Sequence, residues 1–98
     1  MRKVTQEIIR AFMNDENKSV SNSTVKTDFE NTKMYLFGNL IARKEKATGK
    51  IEISMAGYGT QTTRERLNAI PGVRVYQKGG VQYLNGNPIN TNEFYAVN

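Results

Sequence analysis

The stretch MYLFGNLIARKEKATGKIEISMAGYGTQTTRERLN, residues 34–68, decides the fold of this chain. Within it, the segment IEISMA alternates apolar and polar side chains from position 51 to position 56. Alternation with a period of two is typical of a strand with one buried face. The inward side chains are predicted to be Ile51, Ile53 and Met55. The outward side chains are predicted to be Glu52, Ser54 and Ala56.

The residues before this strand predict its antiparallel partner. Residues 33–43, KMYLFGNLIAR, are apolar on both faces, which indicates one central strand that is covered on both sides or whose faces switch. Gly38-Asn39 interrupts the run and is interpreted as a β-bulge. Residues 44–50, KEKATGK, form the predicted turn into the next strand, because a glycine in such a loop supplies a positive φ.

A short central helix is predicted to follow the glycine loop at residues 57–59. The motif TTRE at 62–65 is a capping box. In this motif the hydroxyl of Thr62 would cap the helix while Glu65 reaches back to its first turn. The Pro-Gly pair at 71–72 is predicted to end the helix.

The N-terminal part of the chain predicts a second helix and another strand. Residues 2–13 repeat apolar side chains at helical spacing, which indicates an amphipathic helix packed across a sheet. Residues 22–29, NSTVKTDF, alternate as a strand does. Both elements add to the α+β pattern of the central stretch.

The C-terminal part predicts a further hairpin. Residues 73–84, VRVYQKGGVQYL, contain Gly79-Gly80, which suits a two-residue turn. This register would place Tyr76 opposite Tyr83 as an aromatic pair. Residues 93–97 either dock as a short strand or fray. The expected architecture is therefore α+β: an antiparallel sheet of four to five strands, an N-terminal helix and a short central helix in one domain, residues 1–98.

The positive charge of the chain is concentrated in one segment. The net charge is +5 over 98 residues. Residues 43–78 carry eight Lys and Arg against three Asp and Glu, so this segment alone has the net charge of the whole chain. An excess confined to one segment indicates an anionic partner better than an even distribution does.

Six cations of this segment are predicted to form a nucleic-acid-binding surface. They are Arg43, Lys44, Lys46, Arg64, Arg66 and Arg74. Phosphate binding requires such side chains to converge, so the prediction depends on the fold bringing them together. Tyrosines of the predicted strands, such as Tyr35, would supply stacking surfaces. The alternative is that lysines at a hairpin end are solvated and protect strand edges from aggregation.

The composition argues against an enzyme. The chain has no histidine and no cysteine, which excludes the common catalytic triads and dyads and the commonest metal ligands. The carboxylates are scattered and form no calcium or magnesium motif. We therefore predict a non-enzymatic protein without a cofactor or a metal site.

The predicted partner is DNA or RNA, and the alternative partner is a host protein. A compact sheet can bind a protein by strand addition or through a flat patch, so the chain would then be a modulator or inhibitor of a host factor. Exposed strand edges would also allow two copies to pair as a homo-oligomer. No apolar run is long enough for a signal peptide or a membrane span, so the expected location is the host cytoplasm, away from membranes.

Three segments carry a resemblance to a known group of proteins. FGNLIA at 37–42, AGY at 56–58 and TTRERLN at 62–68 resemble the GNxIA strand, the strand ending in glycine and an aromatic, and the TTRxRLN helix start of small bacteriophage-encoded proteins. The resemblance implies a phage origin and a compact α+β domain. It carries over no active site. Class-level analogy with small phage proteins points to nucleic acid or a host factor as the partner.

Overall fold

The structure, a computed structural model, describes residues 2–98 and contains two helices and nine strands over that range. In chain order they are α1 (Lys3–Met13), β1 (Lys18–Val20), β2 (Ser23–Thr27), β3 (Asn31–Leu36), β4 (Asn39–Glu45), β5 (Ile51–Ile53), α2 (Gln61–Asn68), β6 (Val75–Lys78), β7 (Val81–Leu84), β8 (Asn87–Ile89) and β9 (Tyr95–Ala96). Within the described range, no helix is long and apolar enough to span a bilayer.

The strands form two antiparallel sheets. The larger sheet has six strands in the order β1-β2-β3-β4-β5-β9, and the smaller has three in the order β6-β7-β8. The α+β class and both predicted helices are confirmed, but the main sheet is larger than the four to five strands expected. The additional strands are β1, which at three residues is too short to give a clear alternating pattern, and β9, for which the sequence left docking and fraying open.

The predicted central strand is instead a hairpin of β3 and β4. Leu36 pairs with Asn39, and the two residues between them, Phe37 and Gly38, have φ angles of 51° and 78°. Two consecutive positive φ angles define the mirror-image turn that joins antiparallel strands. The bulge interpretation of Gly38-Asn39 is therefore wrong. The register shifts elsewhere, between Met34 and Tyr35.

The hydrophobic core lies on one face of the main sheet. Helix α1 contacts β1, β2 and β3, while α2 contacts β4 and α1. The helices contribute Ile8, Phe12 and Leu67, each with no measurable exposure. The sheet contributes alternate residues such as Val25 and Met34, each 1% exposed. Both helices cover the same face, so the opposite face, which we call the outer face, lies open.

Two expectations about local structure require correction. Helix α2 is capped by Thr60, whose hydroxyl accepts a hydrogen bond from the Thr63 N–H at 3.2 Å, so Thr62 is not the cap. Ser54 was expected to point outward but is 3% exposed, because β5 ends at Ile53 and its alternation stops there. The Ser54 hydroxyl accepts the Ala56 N–H at 3.0 Å, which satisfies a buried polar group.

The predicted C-terminal hairpin is confirmed, although it belongs to the smaller sheet. The hairpin of β6 and β7 turns at Gly79-Gly80, and Tyr76 stacks on Tyr83 with ring centroids 5.2 Å apart. Tyr95 pairs with Ile53, so the last segment docks as β9 on the edge of the main sheet.

The β3–β4 turn gives a stability prediction. Gly38→Ala is expected to lower the free energy of unfolding by about 1 kcal/mol, since a Cβ disfavours a φ of 78° although no atom lies within 4 Å of its position. Gly38→Asn is the matched control, because asparagine tolerates left-handed backbone better. Urea unfolding measures both variants. An equal loss for the two variants would contradict this account of the turn.

Candidate nucleic-acid interface

The fold does not collect the six predicted cations on one surface. Arg43 lies on the outer face, whereas Lys44 and Arg66 are buried, being 7% and 2% exposed. Since a buried side chain cannot contact phosphates, Lys44 and Arg66 leave the candidate set. The others occupy separate positions around the molecule.

Arg66 ties the two helices to the main sheet. Its guanidinium donates to the hydroxyl of Thr5 on α1 at 2.6 Å and to that of Ser23 on β2 at 3.0 Å. It also pairs with the Glu65 carboxylate at 2.7 Å. Burial lowers the pKa of Arg66, and the charge of Glu65 opposes this effect. Removal of one partner from such a buried network leaves an uncompensated charge or polar group.

Lys44 closes the C-terminal end of α1. Its Nζ donates to the carbonyl oxygens of Phe12 and Met13, at 3.0 and 2.9 Å, and lies 3.0 Å from the Asp15 carboxylate. A cation is favourable there because the last carbonyls of a helix are unpaired and carry partial negative charge. The hydroxyl of Thr32 and the ammonium of Lys44 lower the pKa of Asp15 despite its partial desolvation.

Lys46 donates from Nζ to the Asp28 carbonyl at 3.0 Å, near the β2–β3 turn. The guanidinium of Arg64 donates to the Gly59 carbonyl at 2.9 Å and to the side-chain oxygens of Gln77 and Gln82, so it lies beside the smaller sheet. These two cations therefore occupy different parts of the surface.

Arg74, the last of the six, is exposed, with its guanidinium 5.7 Å from the centre of the Tyr76 ring. It belongs to the segment that leads into β6, a strand of the smaller sheet. None of Lys46, Arg64 and Arg74 is in register with Arg43.

A different set of cations crosses the outer face. Lys26 on β2 is paired in register with Lys33 on β3, and Lys33 with Arg43 on β4. Residues that are directly opposite on adjacent strands point to the same face, so the three cations form a row, which ends at Glu52 on β5. We call Lys26, Lys33 and Arg43 the cationic row.

Aromatic rings accompany this row. The Lys26 ammonium lies 5.9 Å from the centre of the Tyr35 ring, and the Arg43 guanidinium lies 4.0 Å from that of Phe94. Arg43 also pairs with the Glu52 carboxylate at 2.8 Å. Cation–π contacts of this kind hold long cationic side chains near a ring.

Two shallow grooves of the outer face meet at Lys33. Their combined lining contains five cations and three carboxylates, so it carries a positive excess. The cations are Lys18, Lys26, Lys33, Arg43 and Lys50. The carboxylates are Asp28, Glu45 and Glu52. Asp28 accepts hydrogen bonds from the backbone N–H groups of Asn31 and Glu30, which lower its pKa and keep it ionised.

Lys26 and Lys33 are not among the six cations predicted from the sequence. The alternating pattern of residues 22–29 places Lys26 on the polar face of its strand. The pairing of Lys33 with Lys26 also depends on the exact length of the β2–β3 turn, which the sequence does not define. A one-residue slip would have moved Lys33 to the other face of the sheet.

The family model described as Kyanoviridae Gp96 protein matches residues 1–98. No curated protein and no solved structure matches the chain. The family match confirms the predicted phage origin of this small protein, whereas the three sequence motifs that carried the resemblance stay untested.

The buried network gives a second stability prediction. Arg66→Ala is expected to lower the free energy of unfolding by about 3 kcal/mol, because it leaves the hydroxyls of Thr5 and Ser23 and the Glu65 carboxylate without their shared donor. Arg74→Ala removes an exposed arginine and is expected to change it by less than about 0.5 kcal/mol. Chemical denaturation compares the two. Similar values for both variants would contradict the structural role of Arg66.

The lowered pKa of Glu65 predicts that the free energy of unfolding depends on pH. Hydrogen bonds from Arg2 and then Thr5 lower its pKa below the ordinary 4.5, so its ionised form stabilises the folded state above that pH. This contribution is lost as the pH falls through the lowered value. Glu65→Gln is expected to be less stable at pH 7 and to lose less further stability on acidification from about pH 5. Denaturant titrations at a series of pH values below about 5 measure how steeply the free energy of unfolding falls with pH.

The control is Glu16→Gln, which removes the same charge from an exposed side chain. Its free energy of unfolding at pH 7 is expected to equal that of the natural chain. If the free energy of unfolding fell equally with pH in the Glu65→Gln variant and the natural chain, Glu65 would not contribute to the acid sensitivity of the fold.

Proposed function

Because the chain belongs to the Kyanoviridae Gp96 family of phage proteins, we propose that it is a non-enzymatic phage accessory protein that binds single-stranded DNA or RNA on its outer face. The cationic row of Lys26, Lys33 and Arg43 would contact the phosphates. Tyr35 and Phe94 would offer rings to the bases. This surface replaces the one expected from the sequence and retains only Arg43 from it.

The observation that carries the proposal is the register of the cationic row. Like charges directly opposite each other on adjacent strands are destabilising. Adjacent strands lie about 4.8 Å apart, so the three cations fall within about 10 Å. Glu52 neutralises one end of the row through Arg43, but it pairs with neither lysine. An anionic backbone lying across the strands would relieve the repulsion between them.

The outer face favours a single strand over a duplex. Duplex DNA is read by an element that enters a groove, typically a helix or a two-stranded ribbon. The described part of the outer face consists of strands of the main sheet, and both helices lie on the opposite face. Single strands instead bind flat, cationic surfaces on which their bases stack against aromatic side chains. Arg43 also offers a guanidinium plane for stacking.

A host protein is the second candidate partner. Phe29, in the β2–β3 turn, is 94% exposed, and an apolar ring left in water is a common anchor in protein interfaces. Under this alternative, the turn would insert Phe29 into a pocket of the host factor. Pairing of two copies through strand edges stays a prediction.

The proposal is tested by neutralising the cationic row. A triple variant, Lys26→Gln, Lys33→Gln and Arg43→Gln, is expected to bind a single-stranded oligonucleotide at least roughly tenfold more weakly at 0.1 M salt. The slope of log affinity against log salt should fall by about 2, since each lost phosphate contact of a single strand contributes about 0.7. Fluorescence anisotropy over a salt series measures both quantities.

The matched control, Lys3→Gln, Arg10→Gln and Lys78→Gln, removes three exposed cations that lie outside the outer face. It has the same net charge as the first variant and should bind much as the natural chain does. Equal weakening by both triple variants would mean that only net charge matters. Absence of any oligonucleotide binding by the natural chain would reject the function itself.

A further inference from the structure

A third groove lies at the turn end of β3 and β4, beside α2. Its volume is about 430 Å³, within the range of small-molecule sites, and its lining contains no charged side chain. Buried apolar side chains form part of its lining, namely Leu36, Ile41 and Met55. Phe37 and Tyr58 also line it, with 70% and 58% of their surface exposed. The groove therefore combines an apolar base with two solvent-exposed aromatic rings.

The side chain of Phe37 does not stabilise the backbone conformation of the β3–β4 turn. A φ of 51° is costly for a bulky residue, and the first position of this turn favours asparagine, aspartate or glycine. Burial does not offset this cost, because most of the ring is in water. A residue that neither the turn nor the core favours points to a role outside folding.

The segment leading to Tyr58 is also held in an uncommon conformation. Ala56 and Gly57 have φ angles of 53° and 83°, and the Tyr58 N–H bonds the Met55 carbonyl at 2.8 Å. This tight turn places Tyr58 on the same groove as Phe37. Two strained turns thus present exposed aromatic rings to one uncharged space.

Asn39 adds a polar group to the lining. Its amide nitrogen makes a long contact of 3.5 Å with the Phe37 carbonyl. Among the contacts of residues 2–98, no donor reaches its side-chain oxygen. An amide offers both a donor and an acceptor, which is what the edge of a nucleobase requires.

We propose that this groove binds one unpaired nucleobase of the nucleic acid held on the outer face, with stacking on Phe37 and Tyr58 and a hydrogen bond from the base edge to Asn39. The inference rests on the proposed function. Phe37 follows Lys33 by four positions, about 13 Å along the strand direction. The groove opens beside α2 on the helix side of the main sheet, so a chain of nucleotides on the cationic row would bend around the β3–β4 turn to place one base in it. An uncharged lining suits a neutral, planar base and disfavours a phosphate.

The test compares two oligomers of equal length, an oligothymidine and a sugar-phosphate chain without bases. The natural protein is expected to bind the oligothymidine more tightly. Phe37→Asn should weaken oligothymidine binding by roughly 5-fold or more, the loss typical of one base stack, and leave binding of the base-free chain unchanged. The same substitution should raise the midpoint of thermal unfolding, because asparagine suits the turn.

The matched control is Phe29→Asn, which replaces another exposed phenylalanine in a turn outside the groove. It should leave both affinities unchanged. Equal oligothymidine binding by the two variants and the natural chain would overturn the inference while the proposed function stands. Loss of host-protein capture by Phe37→Asn in a nuclease-treated lysate, with oligothymidine affinity unchanged, would assign the groove to a protein instead. Absence of binding to either oligomer would reject the proposed function first.

Discussion

The buried guanidinium of Arg66 is the interaction on which the arrangement of layers depends. It joins α1 through Thr5, β2 through Ser23 and its own helix through Glu65. These contacts place both helices on the same face of the main sheet. A buried charge needs nearly all of its donors paired, so the helices cannot shift without leaving polar groups unsatisfied. The opposite face of the sheet lies open as a direct consequence.

The cations of this chain divide between folding and surface charge. Lys44 binds the final carbonyls of α1, and Arg66 joins the helices, so neither contributes to a phosphate site. The row of Lys26, Lys33 and Arg43 faces water from adjacent strands, where mutual repulsion opposes stability. The distribution of cations over burial and register is therefore more informative about binding than the net charge.

The proposed phosphate and base sites share the β3–β4 hairpin. Its strands carry Lys33 and Arg43 on the outer face, and its turn carries Phe37. The hairpin thus places charge along its length and an aromatic ring at its end, each at some cost to folding. Costs of this type are common where a surface is arranged for a ligand as well as for stability.

Local patterns in the sequence determined the helix at 2–13, the β6–β7 hairpin and the class of the fold. Gly79-Gly80 alone sets the register that stacks Tyr76 on Tyr83. The β3–β4 turn could not be predicted from the sequence, because phenylalanine is uncommon at its first position and Phe37 continues an apolar run. The roles of the cations were decided only by tertiary structure. Arg66 meets Thr5 and Ser23 across separations of 61 and 43 residues, and Lys33 meets Lys26 through strand register. Charge and periodicity are local properties, whereas burial and cross-strand neighbours depend on how distant segments pack.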